Sequence, residues 1–254
     1  MKTKQWDLSL NPIHYACLSG GKDSLYMLGV ILKNPNKYPL DYVLNYDLEI
    51  DWEWVKHSVN KIEQMCAKAN IPFLRIKPRR KWLDLYEKYD MPTRRARWCN
   101  NLYKLDCEKQ MIEWIKKQNC RPIAYIGFCL DEERRFKYQL GNWEKGTCCY
   151  PLAEEGITED IILEWAKKQT IFNNWYKHFK RQGCMLCPML TMKELAYLYK
   201  YENENFEKYF EYVKAYENKF NTFFWNRPCE KVRERVINKW LNVLEEEENK
   251  NEAK

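Results

Sequence analysis

An α/β fold built on a parallel sheet, followed by a helical region, is predicted by three features of the sequence. Through the first half of the chain, short apolar runs alternate with segments whose apolar residues recur at helical spacing, as strand–helix units require. A Ser-Gly-Gly turn joins the first run to the first helical segment. Beyond Thr158 the pattern turns helical.

The elements follow in order. Ile13-His14-Tyr15-Ala16-Cys17-Leu18 is an apolar run that stops at Ser19-Gly20-Gly21, and Ser24 to Lys33 carries Leu25, Leu28, Ile31 and Leu32 on one helical face. Tyr42 to Tyr46 reads as a second strand, and Val55 to Ala69 as an amphipathic helix with Val55, Val59, Ile62, Cys66 and Ala69. Pro72 to Ile76 gives a third strand, Asn101 to Lys117 a helix, and Pro122 to Phe128 a fourth, strongly apolar strand. Thr158 suits an N-cap, with Glu159 and Asp160 placed against the helix dipole. Thr191-Met192-Lys193-Glu194 fits a capping box. The charged tail from Glu245 is expected to fray. A boundary near residue 150 is expected: 1–150 an α/β domain, 151–254 a helical region.

No run of eighteen apolar residues exists, so a membrane span is not expected. Lys2 and Lys4 are not followed by an apolar segment, so no secretory signal is read and a reducing cytoplasm is the expected location. There the 11 cysteines point to metal or catalytic roles more than to disulfides, with Cys17, Cys66 and Cys120 read as packed apolar groups. The net charge of +7 is clustered: Arg75 to Lys81; Arg94, Arg95 and Arg97; Arg134, Arg135 and Lys137; Lys177, Lys180 and Arg181. Such clusters suit phosphate-rich partners, nucleic acid included, or simply form a solvated surface.

Leu18-Ser19-Gly20-Gly21-Lys22-Asp23-Ser24 carries the chemistry of the first half. Glycines let a backbone approach phosphate oxygens, and the amides and dipole at the start of the next helix bind the anion. Lys22 adds a charge and Ser24 a hydroxyl. The Walker spacing is missing, and a capped tight turn is the plain alternative.

This stretch resembles the PP-loop of the N-type ATP pyrophosphatases, which implies an adenine nucleotide α-hydrolase-like core. It also implies ATP with Mg2+ as ligands: Ser19, Gly20, Gly21, Lys22, Asp23 and Ser24 would hold the phosphates, and the α-phosphate would be attacked. Further stretches resemble the branch with the phosphoadenosine phosphosulfate reductases and the DNA-phosphorothioation sulfurtransferases. These are Arg97-Trp98-Cys99 with Lys104; Gly127 to Arg135; Tyr150-Pro151-Leu152; Asn174-Trp175-Tyr176; and Gly183-Cys184-Met185-Leu186-Cys187-Pro188. The resemblance runs from about residue 13 to 190. By it Gly127 joins the nucleotide site, and Arg134 or Arg135 reaches the phosphates. Asp23 orients Mg2+ or Lys22. Asp47-Leu48-Glu49 stands where the family has Asp-Thr-Gly, so contacts of Asp47 to ribose or base are expected to differ. Cys129 replaces an arginine and Asn100 a second cysteine. The reductases' C-terminal nucleophilic cysteine motif has no counterpart in the tail.

Cys184-x-x-Cys187 is a spacing shared by zinc and iron–sulfur sites, and by redox dithiols. The resemblance brings Cys99 to the same site and implies a 4Fe-4S cluster, with zinc as the alternative. Cys229 is the first candidate for a fourth ligand and Cys107 the second. The Cys148-Cys149 pair is read as packing or a persulfide relay. His14, His57 and His178 show no ligand spacing.

The implied activity is an ATP-dependent adenylating sulfurtransferase acting on a nucleotide or nucleic acid, DNA or tRNA, with Lys22, Asp23 and Arg135 catalytic. Its sulfur would come from the cluster or a cysteine persulfide, with a cysteine desulfurase as donor. Two other readings stay open: a sulfonucleotide reductase, for which Cys229 is the candidate mobile thiol, and a non-catalytic nucleic-acid-binding accessory protein.

Overall fold

The computed structural model describes residue 7 and residues 9–135, 148–172 and 174–252; Lys2, Lys4 and Lys137 lie outside them. Among the described residues five strands form one parallel sheet: β1 (Pro12–Leu18), β2 (Tyr42–Tyr46), β3 (Phe73–Ile76), β4 (Arg121–Tyr125) and β5 (Cys148–Cys149). Their order is β3-β2-β1-β4-β5. The chain adopts the expected α/β class. The four strands read from the sequence form within a few residues of their expected limits. β5, the Cys148-Cys149 pair, was not among them, because two residues carry no periodicity.

β1 is central, pairing Tyr15 with Tyr42 on one side and with Ala124 on the other. Its alternate residues therefore enter two different cores. Ala16 and Leu18 pack with Met27 and Ile31 of α1 (Lys22–Lys33) and Ile62 of α2 (Glu53–Lys68). Tyr15 packs with Leu44, Ala124 and with Met111 and Ile115 of α4 (Leu105–Lys117). A helix not expected from the sequence, α3 (Trp82–Tyr89), precedes α4. A π-helical turn, Cys99–Lys104, leads into α4. Because α1 and α2 cover one face and α4 the other, the connections leave β1 in one direction and return beyond it at β4. That reversal makes the carboxyl ends of β1 and β4 a topological switch point, where open α/β sheets bind ligands.

The chain divides into two compact units that interleave in sequence. One comprises residues 1–48, 53–79 and 104–176; the other 49–52, 80–103 and 177–254. The first holds the sheet, with α5 (Pro151–Glu154) and α6 (Glu159–Lys167). Between the units' segments the chain passes through α7 (Trp175–His178). The second holds α3, α8 (Met192–Tyr201), α9 (Asn203–Phe220), α10 (Cys229–Arg235) and α11 (Leu241–Glu252). Leu195, Leu198, Phe206, Tyr209, Val213, Val232, Val236 and Leu244 are buried in it. The segment 49–52 joins this unit through two bonds to the cysteine turn: Met185 N–H donates to the Ile50 carbonyl (2.9 Å) and Trp52 Nε1 to the Gly183 carbonyl (2.9 Å). Among the described residues no helix is long and apolar enough to cross a membrane.

The expected capping box forms: Thr191 Oγ1 accepts from Glu194 N–H (3.2 Å), and Glu194 accepts from Thr191 N–H (2.7 Å). Thr158 occupies the N-cap position of α6, but its side chain makes no capping bond. Asp131 does this instead, accepting the Glu159 N–H at 3.1 Å.

Candidate functional site

The Ser-Gly-Gly-Lys-Asp-Ser loop lies at the switch point, directly after β1. Gly20 has φ +78°, and a Cβ there would sit 2.9 Å from Val55 Cγ1, so both backbone and space require glycine. The loop after β4 closes on it: a Cβ on Gly127 would lie 3.0 Å from the Asp23 carbonyl oxygen and 3.3 Å from the Ser24 nitrogen. The structure thus brings Gly20, Gly21, Lys22, Asp23, Ser24 and Gly127 together. Ser24 Oγ donates to the Gly21 carbonyl (3.0 Å) and accepts from Ser19 N–H (3.2 Å), which fixes the loop's shape. Asn45, buried in β2, donates to the Leu18 carbonyl (2.8 Å) and anchors the loop's entry.

The first amides of a helix have no partner within it. That of Lys22 donates to the Tyr176 hydroxyl (2.9 Å); those of Asp23 and Ser24 have no protein acceptor among the described residues. The Lys22 side chain is buried, its Nζ held by Asp23 Oδ1 (2.7 Å) and Glu159 Oε1 (3.3 Å). Burial disfavours its charge, yet the two carboxylates prevail and its pKa is raised. For Asp23 burial wins over Lys22 and its pKa is raised too. The ammonium is thus secure, while Asp23 bears the cost of desolvation. Cys129, where the resemblance expects arginine, is fully buried and donates its thiol toward Asp23 Oδ1 (3.8 Å). Burial, then Asp23 and Glu132, push that thiol up.

Arg135 is turned to Glu132 (2.5 Å) and stacks on Phe128, 4.3 Å from its centroid; Phe128 in turn stacks on Tyr150. It makes no bond to the loop among those described. Asp47 is 3.7 Å from Lys77 and lines a groove of about 680 Å3 with Tyr42, Gln110 and Trp114, in the α/β unit. Glu159 and Tyr176 reach Lys22 from 137 and 154 residues away, a closeness that no local pattern encodes.

The cysteine turn belongs to the other unit. Cys184 is buried, Cys187 partly exposed, and Cys187 N–H donates to the Cys184 carbonyl (3.1 Å), closing the turn. Tyr209, in α9, is wholly buried and its hydroxyl has no hydrogen-bond partner among the described residues. Burial, then the thiols of Cys187 and Cys184 and the Glu194 carboxylate, push that phenol up, while Arg94 opposes them. An orphaned hydroxyl beside two thiols of one turn fits a site for a sulfur-bound group. Cys99, also buried, opens the π-helical turn of the same unit.

Cys229 starts α10 between two carboxylates: its Sγ lies 3.3 Å from Glu230, and Glu217, Cys229 and Glu230 have ligand atoms within 4.8 Å of one another. Cys99, Cys184 and Cys187 are not in that group. Glu217 there is occupied, accepting the amides of Phe224 (2.9 Å) and Cys229 (3.0 Å). Burial and these acids push the Cys229 thiol up to about 12. In the α/β unit, burial likewise pushes up Cys148, with Cys17 and Glu108 beside it, and Cys149. Thiols held protonated in this way are poor nucleophiles.

No family model matches the chain. Two uncharacterized proteins of Methanocaldococcus jannaschii are similar to it. MJ0066 is 25% identical over 80% of this chain and 42% of its own length; MJ0973 is 25% identical over 82% and 50%. The chain thus spans about half the length of the curated relatives it matches. Among solved structures, a U34-tRNA thiolase, NcsA from Methanococcus maripaludis with its 4Fe-4S cluster, aligns over 96% of this chain and 76% of its own, with 17% identity and a TM-score of 0.41.

Proposed function

We propose that the protein is an ATP-dependent adenylating sulfurtransferase acting on a nucleotide or nucleic acid. The observation that carries this is the glycine loop at the β1–β4 switch point, with a buried lysine and with Asp23 and Ser24 amides that lack a protein acceptor among the described residues. Gly20, Gly21 and Gly127 let the backbone close on a triphosphate, and the Asp23 and Ser24 amides take its oxygens. Lys22, now paired with Asp23 and Glu159, would turn to phosphate, and the two freed carboxylates would hold Mg2+. An acceptor oxygen attacks the α-phosphorus and pyrophosphate leaves; loop amides and Lys22 stabilise the charge that builds up. Sulfide then adds to the activated carbon and AMP departs.

Cys184 and Cys187, with Cys99, supply the sulfur-handling half. These three thiolates would hold a 4Fe-4S cluster, which would supply sulfur at the sulfide level. The Tyr209 hydroxyl supports this reading, because a buried donor beside the thiols needs an acceptor. The reductase alternative requires a mobile nucleophilic thiol, and Cys229 is buried, amide-anchored and held protonated.

The test is ATP–pyrophosphate exchange in the presence of bulk tRNA or DNA. Lys22→Ala is expected to lower the exchange at least ~100-fold, the scale of removing one charge-stabilising donor. Unchanged exchange would overturn the scheme.

A further inference from the structure

A cleft of about 610 Å3 lies wholly within the helical unit, walled by Arg94, Arg95, Arg227 and Arg235, with Phe223 and Trp225 among its aromatic residues and Pro188 beside the cysteine turn. Among the described residues its lining contains no carboxylate. Elsewhere the arginines Arg75, Arg79, Arg135, Arg181 and Arg233 are paired with acids. The four cleft guanidiniums make no ion pair or hydrogen bond among the described residues. Four like charges gathered without a counter-ion repel one another, so the arrangement is favourable only against an anion.

The aromatic wall is built, not frayed. Asn221 and Asn226 take left-handed backbone (φ 47° and 59°), which short amide side chains tolerate, so the chain turns tightly twice. The buried Glu217 ties the loop at both ends through the amides of Phe224 and Cys229. Trp225 packs into the unit against Tyr209 and Phe210, whereas Phe223 stays 52% exposed. An apolar ring offered to solvent from a tethered loop, among guanidiniums, matches a base-stacking platform on a phosphate-binding groove.

We propose that this cleft binds single-stranded nucleic acid, with phosphates on Arg94, Arg95, Arg227 and Arg235 and one base on Phe223. The volume holds about one nucleotide. A duplex keeps its base faces stacked inside and has none to offer Phe223. Pro188 follows Cys187 directly, so the seated nucleotide lies next to the thiol turn. The inference rests on the sulfur-transfer reading only in making that strand the sulfur acceptor.

The test is fluorescence anisotropy on the full chain with fluorescein-labelled 12-nucleotide RNA, DNA of the same sequence, and a duplex, competed by polyglutamate. Single strands are expected to bind at least ~10-fold tighter than duplex. Arg227→Ala with Arg235→Ala weakens binding ~10-fold or more and reduces the salt slope by about 1.4, two phosphate contacts' worth. Phe223→Ala weakens it ~5-fold or more without changing that slope, the scale of one lost stack. The three residues are exposed, and thermal melts confirm that the variants fold. A preference between RNA and DNA names the acceptor, and either preference upholds the proposal. Equal affinity for duplex, competition by polyglutamate as effective as by unlabelled strand, or a Phe223→Ala variant that binds normally would overturn it. ATP binding of the unmodified protein, measured by equilibrium dialysis, separates the two readings. ATP bound without oligonucleotide sinks this proposal alone, and oligonucleotide bound through the cleft without ATP sinks the loop reading alone.

Discussion

The glycine loop after β1 and the Cys184–Cys187 turn are both tight turns carrying reactive groups, but they are held by different means. The loop is shaped by its own backbone: Gly20 at positive φ, Ser24 bonded back to Gly21 and Ser19, and Gly127 of the loop after β4 pressed close. The cysteine turn is held from outside, by Ile50 and Trp52 from a segment more than 130 residues earlier. A site made of backbone tolerates almost no change of residue. A site held at its margins tolerates changes at its side chains, provided the supports remain.

The largest contrast is expected from two substitutions. Gly20→Ala forces an L-residue into left-handed backbone and a Cβ into Val55, and should cost about 2–4 kcal/mol in urea unfolding. Cys187→Ser, on a partly exposed side chain, should cost less than about 1 kcal/mol. Comparable losses would break the distinction. Next comes the support of the helical unit's loop. Glu217→Ala leaves the Phe224 and Cys229 amides without acceptors and is expected to cost about 1–3 kcal/mol; a change near zero would show that water replaces the carboxylate freely. Smaller again, Asp131→Ala should remove about 1 kcal/mol by uncapping α6, while Thr158→Ala, whose side chain makes no capping bond, should remove almost none. The reverse ranking would place the cap where the sequence put it.

The smallest effect is one of pH. His14 in the α/β unit and His178 in the helical unit both have pKa values lowered by burial, despite Asp41 and Glu248 respectively. A lowered folded pKa means that the unfolded chain takes up the proton first. Their contribution is therefore complete above about 6.5 and is lost as pH falls below it toward the folded values. His178→Gln should flatten the fall of Tm on acidification below 6.5, and a slope identical to the unmodified protein's would refute this account.

Much of the α/β unit is legible in the sequence, because strand runs, helical periodicity and the need for glycine at Gly20 are local properties. The Thr191 capping box is legible for the same reason: its partners are three residues apart. Asp131 on α6 is not, since an aspartate 28 residues from the amide it accepts leaves no pattern. Tyr209 and Glu217 read as ordinary members of a helix until burial shows one to be orphaned and the other saturated. The cluster Arg94-Arg95 was visible as charge, but not its meeting with Arg227, Arg235 and Phe223 in one cleft.

The sequence by itself determined the class of fold, the positions of the first four strands, and the loop whose glycines and lysine suit a phosphate. These depend on backbone sterics and apolar spacing over a few residues. Only the tertiary structure decided that residues 49–52 and 80–103 group with the C-terminal helices, and that Lys22 lies between Asp23 and a glutamate 137 residues away. It also decided that four arginines, without an acid partner among the described residues, gather in one cleft beside Pro188. Such placements arise from burying apolar faces against distant partners, and pairwise proximity across that distance is not written in any local stretch of chain.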